Sequence, residues 1–180
     1  MDALTVLYQG MDRIQQAIDK HQLNRLQNDF YDHCVKQNKI TANKIREISW
    51  TCYKKEMDHQ LRMLLSSKNE DVKAVYYEYD PDNSWTGAIF ACRSYNQLNE
   101  EDDDWACDWN ESYSAPIIPD YENLNIDVSL KDEQSVWIFL YAILVLTETY
   151  IDIVNPLCSN LPFCIGFHDQ TPITRCTYIS

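Results

Sequence analysis

Glycine is scarce in this sequence: only Gly10, Gly87 and Gly166 occur among 180 residues. Glycine-rich phosphate cradles and dinucleotide-binding turns need several glycines close together, because only glycine lets the backbone approach a phosphate in those turns. The composition therefore excludes most classes of nucleotide-binding enzyme.

The sequence also lacks a long apolar run and a paired-cysteine motif. Its longest apolar stretch, Val136 to Leu146, has about 11 residues, whereas a membrane-spanning helix needs about 20. The first residues do not have the basic and apolar regions of a signal peptide. The 7 cysteines are odd in number and contain no C-x-x-C pair, unlike the dense, even frameworks of disulfide-bonded secreted proteins. We therefore expect a soluble, cytoplasmic protein that does not contact membranes.

Basic residues are nearly absent from the second part of the chain. Residues 1–75 hold 10 acids and 12 bases, while residues 76–180 hold 18 acids and 3 bases, so the second part accounts for the net charge of -13. Within residues 100–133, 12 acids face the single base Lys131. Such a chain repels nucleic acid and anionic membranes, because binding either requires clustered Lys and Arg. We expect a basic partner and no direct contact with nucleic acid.

The hydrophobic pattern predicts the order of the elements. Apolar residues at three-and-four spacing indicate helices over residues 1–67. A three-stranded meander is predicted over residues 73–115: β-branched and aromatic runs flank the turn at Asp80–Ser84, and polar and apolar residues alternate from Asp104 to Asn110.

The remaining residues predict one long helix and short terminal strands. The helix is expected over residues 129–155, with Ser129 as its cap and an apolar surface all round, so it should be buried. Residues 162–180 predict terminal strands. Together these elements indicate a single α+β domain over residues 1–180: N-terminal helices packed on an antiparallel meander of three to five strands, with one long buried C-terminal helix.

The candidate binding surface surrounds the uninterrupted acidic run Glu100–Asp104. Trp85, Trp105 and Trp109 lie nearby in the sequence, and aromatic side chains are enriched at the centres of protein interfaces. If Trp105 and Trp109 point inward from one strand, Asp104 and Asp108 point outward beside the acidic run. The predicted partner-binding residues are Glu101, Asp102, Asp103, Asp104, Asp108, Trp109 and Tyr113.

Metal and catalytic sites have weaker support in the sequence. Cys158, Cys164, His168 and Cys176 have a spacing that matches no common structural zinc module. No histidine stands in the signature of a Cys or Ser nucleophile. We therefore expect no metal, no cofactor and no catalytic residue.

The acidic chain also resembles a known class of proteins. N-terminal helices, a meander carrying Tyr76-Tyr77-Glu78-Tyr79-Asp80 and Asp103-Asp104-Trp105-Ala106-Cys107-Asp108-Trp109, and then a long apolar helix resemble the immunity proteins of bacterial polymorphic toxins. The resemblance implies a non-enzymatic inhibitor that plugs the active site of a cognate toxin domain, often a nuclease or another enzyme acting on nucleic acid or nucleotides.

Two other classes of function stay open. The first is a small cytosolic hydrolase or transferase with a Cys/His or carboxylate site, which requires such groups to meet in a concave pocket. The second is an acidic interaction protein that mimics DNA, which requires acids spread along an elongated face at phosphate-like spacing. The resemblance and the gathered acids favour the immunity protein over both.

Overall fold

The chain forms helices and a β-sheet, which confirms the predicted α+β class. The computed structural model describes residues 2–67, 71–124, 126, 129–157 and 159–177. The chain divides into two compact units, one of Met1–Ser49 with Pro119–Thr149 and one of Trp50–Ile118 with Tyr150–Ser180. The single domain over residues 1–180 stays a prediction.

Three helices occupy the first part of the chain: α1 at Ala3–Asp19, α2 at Leu23–Arg46 and α3 at Thr51–Ser66. They confirm the predicted helical character of residues 1–67. Asp2 caps α1, since its carboxylate accepts a hydrogen bond from the Thr5 backbone N–H at 3.0 Å. Asn38 kinks α2, with φ -152° and ψ 94°.

The fourth helix, α4 at Glu133–Val154, matches the predicted long helix. Asp132 rather than Ser129 caps it, because the Asp132 carboxylate accepts from the Ser135 N–H at 2.8 Å. Over Glu133–Leu157 this helix is long and apolar enough to span a membrane, yet 83% of its apolar window is buried inside the protein. That burial is typical of the core helix of a soluble protein.

Close helix packing in the first unit explains one of the three glycines. A Cβ atom added at Gly10 of α1 would lie 2.4 Å from a Leu140 methyl carbon of α4. The cost of glycine inside a helix is therefore offset by a closer approach of α4. Phe30 of α2 also packs edge-on against Trp137 of α4, with ring centroids 5.4 Å apart.

The second unit contains a five-stranded sheet in the order β3-β2-β1-β4-β5. Its strands are β1 at Ala74–Asp80, β2 at Thr86–Cys92, β3 at Trp109–Ser114, β4 at Phe163–Phe167 and β5 at Thr174–Arg175. The first three form the predicted antiparallel meander, and β4 pairs in parallel with β1. The whole sheet is therefore mixed, since the long connection through α4 permits a parallel pair. Of the predicted terminal strands, residues 178–180 lie outside the described residues.

The third strand starts later than the sequence pattern predicts. Asp104–Cys107 forms a 3₁₀ turn, and the Asp102 carboxylate supports this turn by accepting from the Asp104 N–H at 2.9 Å. Trp105 is consequently 3% exposed and Trp109 is 44% exposed. The predicted strand alternation from Asp104 to Asn110 therefore does not form before Trp109, and the two tryptophans do not share one inward face.

The sheet has two faces with different environments, because side chains alternate along each strand. One face, here called the buried face, carries Tyr77 with its strand neighbours Ile89 and Ile165. The other, here called the groove face, carries Tyr76 and Glu78, with Phe90 opposite Tyr76. The candidate site lies on the groove face.

Candidate partner-binding groove

A groove of about 360 Å³ lies on the groove face. Strands β1 and β2 supply its base, the turn at Asp104–Cys107 borders it, and the segment after β4 completes it. Its lining residues are Tyr76, Glu78, Phe90, Asp103, Asp104, Ala106, Cys107, Trp109, His168, Asp169, Gln170, Thr171 and Ile173.

Three aromatic rings form a row along the groove. The Phe90 ring lies between Tyr76, with centroids 6.0 Å apart, and Trp109, with centroids 5.2 Å apart. A register shift between Ala91 and Cys92 precedes the pairing of Cys92 with Trp109, and such bulges re-aim side chains at strand ends. Trp109 is 44% exposed, and a large, partly exposed aromatic side chain is a typical anchor for a protein partner.

Glu78 connects two other groups of the groove. Its carboxylate accepts from the Tyr76 hydroxyl at 3.3 Å and lies 3.3 Å from His168 Nδ1. The hydrogen bond to Glu78, followed by the negative charge of Glu78, raises the pKa of His168. Because His168 Nε2 lies 3.8 Å from the Asp169 carboxylate, carboxylates face both nitrogens and favour the imidazolium.

The turn after β4 holds His168 in this position. The His168 N–H donates to the Tyr79 carbonyl at 2.9 Å. Gln170 is buried; its side-chain oxygen accepts from the Phe167 N–H at 3.1 Å, and its amide donates to the Pro172 carbonyl at 2.9 Å. The turn is therefore fixed by a buried amide with hydrogen bonds at both ends.

Gly166 makes room for the groove. It pairs with Glu78 in the parallel ladder, and a Cβ atom at this position would lie 3.1 Å from the Tyr76 hydroxyl oxygen. The absence of a side chain at Gly166 lets the hydroxyl reach the Glu78 carboxylate.

Asp103 anchors the acidic run to the sheet. Its carboxylate forms a 2.8 Å ion pair with the Arg175 guanidinium and accepts from the Ile173 N–H at 2.8 Å. Arg175 is 1% exposed, and its guanidinium lies 5.2 Å from the Trp105 ring centroid. The charge of Asp103 is therefore matched by a buried cation.

Asp108 and Tyr113, two further predicted site residues, lie outside the groove lining. Asp108 pairs with Arg93, with a 2.9 Å hydrogen bond from Nε, and accepts from the Ser94 hydroxyl at 3.1 Å. Tyr113 sits opposite Ile89 and donates its hydroxyl to Glu111 at 2.9 Å. Both residues support local structure around β3.

The remaining predicted acids are presented to solvent. Glu101, Asp102 and Asp104 are all exposed, and no ion pair joins them to a cation within the described residues. Glu101 has a positive φ of 53°, and the Asp102 carboxylate accepts from the Asn96 amide at 2.8 Å. We call Glu100–Asp104 the acidic loop. Of the seven predicted site residues, Asp103, Asp104 and Trp109 line the groove.

Sequence reasoning did not assign Glu78, Phe90, His168 or Asp169 to the binding surface. Alternation along β1 places Tyr76 and Glu78 on one face, which is a signal the sequence offers. Phe90 joins them only through the register of β1 with β2, and His168 joins only because β4 lies parallel to β1. These pairings link distant segments, and local patterns do not determine them.

Metal ligands do not gather in the described parts of the chain, where no group of three His, Cys, Asp or Glu residues is placed to hold an ion. Cys158 of the zinc pattern weighed above lies outside the described residues. Cys164 and Cys176 are buried, and burial raises the pKa of both thiols. Buried, protonated thiols behave as small apolar side chains.

Comparison with known proteins yields no relative. No protein-family model matches this chain, and neither the curated proteins nor the solved structures give a match. The inference of function therefore depends on the groove and the acidic loop.

Proposed function

We propose that this protein binds and neutralises a basic protein partner, a toxin domain, as an immunity protein of the polymorphic-toxin kind. The carrying observation is the exposed acidic loop beside a groove with an open indole. Glu101, Asp102 and Asp104 have no cationic partner among the described residues, while Trp109 is 44% exposed. A basic surface on the partner would supply cations for these three carboxylates.

Charge and aromatic area have separate roles in this proposal. Exposed carboxylates steer a basic partner and accelerate encounter, an effect that salt weakens. The Trp109 and Phe90 rings supply apolar area that is desolvated on contact and slows dissociation. Enzymes that act on polyanions have basic clefts, so an inhibitor with this surface excludes the substrate by imitating its charge. We place this encounter in the cytoplasm.

The geometry at His168 supports a binding role over an enzymatic one. Cys107 and His168 both line the groove, and a Cys/His enzyme requires these two residue types in one pocket. A general base must, however, be a neutral imidazole with a nitrogen facing the nucleophile. Two nearby carboxylates, Glu78 and Asp169, favour the imidazolium, and the described residues include no hydrogen bond between Cys107 and His168.

The distribution of carboxylates also argues against a DNA mimic. A DNA mimic needs unpaired acids along an extended face, at the spacing of phosphates. Here Arg175 pairs with Asp103 and Arg93 pairs with Asp108. Within the described residues 93–109, the acids without an ion pair therefore all belong to the acidic loop. A local cluster next to aromatic rings fits a protein surface better.

A charge-removal variant tests the proposal. The triple variant Glu101→Gln, Asp102→Asn, Asp104→Asn keeps the Asp103 anchor. The binding partner for this test is a basic toxin domain identified by co-purification with the wild-type protein. We expect the affinity of the triple variant for it to fall at least about tenfold at low salt, with a shallower salt dependence.

The control carries the same charge change elsewhere: Asp12→Asn, Glu56→Gln, Asp82→Asn, all exposed positions. Both triple variants remove three negative charges, so they share any general effect of net charge. Apart from that effect, the control should bind within about twofold of wild type. Trp109→Ala provides a second test and should lower affinity at high salt as well. Equal losses in the two triple variants would remove the acidic loop from the interface.

A further inference from the structure

Strand β3 forms one edge of the sheet and pairs only with β2 within the described residues. Four of its six residues are exposed: Trp109, Asn110, Ser112 and Ser114. A strand at an open edge presents unpaired backbone N–H and C=O groups, which are a template for another strand.

The register of β3 shows which backbone groups face outward. The Ala115 N–H donates to the Gly87 carbonyl at 2.9 Å, and in an antiparallel ladder every second residue bonds to its partner strand. Tyr113, opposite Ile89, therefore directs its backbone groups to β2. Ser112 and Ser114 direct theirs to the open edge, and no backbone bond to another described residue uses them.

Natural edges are protected by proline, lysine, β-bulges, very short strands or charged side chains pointing inward. The register shift of β3 lies beside Trp109, and the other end of the strand, at Ser112–Ser114, lacks these features. The sequence of β3, Trp-Asn-Glu-Ser-Tyr-Ser, has no proline or lysine. Its outward-bonding positions Ser112 and Ser114 carry small, uncharged side chains, which permit close approach.

We propose that the edge of β3 pairs with an extended, basic segment of the partner, which adds a sixth strand to this sheet. The basic character of the segment rests on the proposed function. Charge selects this occupant over a second copy of the chain, because two copies would bring two net charges of -13 together. Backbone pairing supplies affinity, and alternate side chains supply specificity.

The position of the groove agrees with such an added strand. Ser112 lies opposite Phe90, and the Trp109 ring contacts the Phe90 ring on the same face. Alternate side chains of the added strand would project over this face. A Lys or Arg among them would reach the Trp109 indole within cation–π range, which extends to about 6 Å from the ring centroid.

The test uses blocked octapeptides that alternate Arg with Thr or Val, titrated into ¹⁵N-labelled protein at low salt. We expect saturable shifts and slowed hydrogen exchange at the Ser112 and Ser114 amides, with smaller changes at Glu111 and Tyr113. A matched peptide with N-methyl groups on alternate residues should bind at least about tenfold more weakly, because it cannot complete the ladder.

A variant repeats the test from the protein side. Ser112→Pro removes an outward N–H and no bond to β2, so peptide affinity should fall at least about tenfold, while Ser112→Thr should keep it. The N-methyl comparison needs no variant and decides the matter if the proline variant does not fold.

Two outcomes overturn the pairing. Shifts confined to residues 100–104, with unchanged Ser112 and Ser114 amides, would refute edge pairing and leave the acidic-surface function standing. Self-association without peptide that protects the same amides would assign the edge to a second copy.

Discussion

The two faces of the sheet differ in charge and in their access to solvent: the groove face has a buried cluster around Tyr76 and Trp105, but its rim is open at Trp109. On the buried face, Tyr77 is 0% exposed and its ring lies 5.4 Å from that of Tyr150; burial raises the pKa of both phenols. One residue along β1, Glu78 is half-buried and bonded to His168. The buried face stabilises the unit, and the groove face keeps a charged, aromatic surface near solvent.

The carboxylates show a similar division. Asp103 and Asp104 are neighbours, yet Asp103 is fixed by the buried Arg175 and Asp104 is exposed. The first acts in folding, and the second is available to a partner. Two pairs of neighbours allow these comparisons to be tested directly: Asp103 and Asp104 for the carboxylates, and Ile89 and Phe90 for the two faces of the sheet.

The largest expected effect comes from breaking the Asp103 anchor. Asp103→Ala leaves the guanidinium of Arg175 buried without its carboxylate, which should lower the free energy of unfolding by about 3 kcal/mol. Asp104→Ala removes an exposed acid and should change it by less than about 0.5 kcal/mol. Urea denaturation measures both, and equal stabilities would show that Asp103 is not an anchor.

The second prediction separates the two faces with adjacent residues. Ile89 is 0% exposed, so Ile89→Ala should cost about 3 kcal/mol of stability and leave partner affinity intact while the protein is folded. Phe90→Ala should cost less, about 2 kcal/mol, because its ring packs against the core cluster but is only partly buried, and should lower affinity about tenfold. Denaturation and binding assays on both variants check whether Ile89→Ala mainly lowers stability and Phe90→Ala mainly lowers affinity. Affinity lost in Ile89→Ala and kept in Phe90→Ala would contradict it.

The sequence predicts this fold better than it predicts the site. Helical periodicity and turn residues locate α1 to α4 and the β1–β2 hairpin, because these depend on local patterns. The alternation around Trp105 is misleading, since a 3₁₀ turn stabilised by Asp102 and the burial of Trp105 outweigh it. The groove depends on a parallel pairing and on Arg175, which is 72 positions beyond Asp103, and no local pattern encodes that contact.

The smallest effect concerns pH and the charge of His168. Glu78, Asp169 and Asp80 lie near this ring and raise its pKa above the ordinary value of 6.5. The imidazole therefore stays protonated to a higher pH than a free histidine does. A cation in the groove opposes a basic partner. Affinity should therefore increase about two- to fivefold as pH rises through this pKa.

His168→Gln separates this effect from general titration of the two proteins. The variant should bind with a flatter pH profile and match the wild type most closely at high pH, where the imidazole is neutral. Stability should show the opposite trend, because a raised pKa means that the pairing with Glu78 stabilises the folded state at low pH. This contribution is lost as pH rises through the folded pKa. A wild-type affinity that falls with pH over the same range would show that the imidazolium contacts an acidic group of the partner.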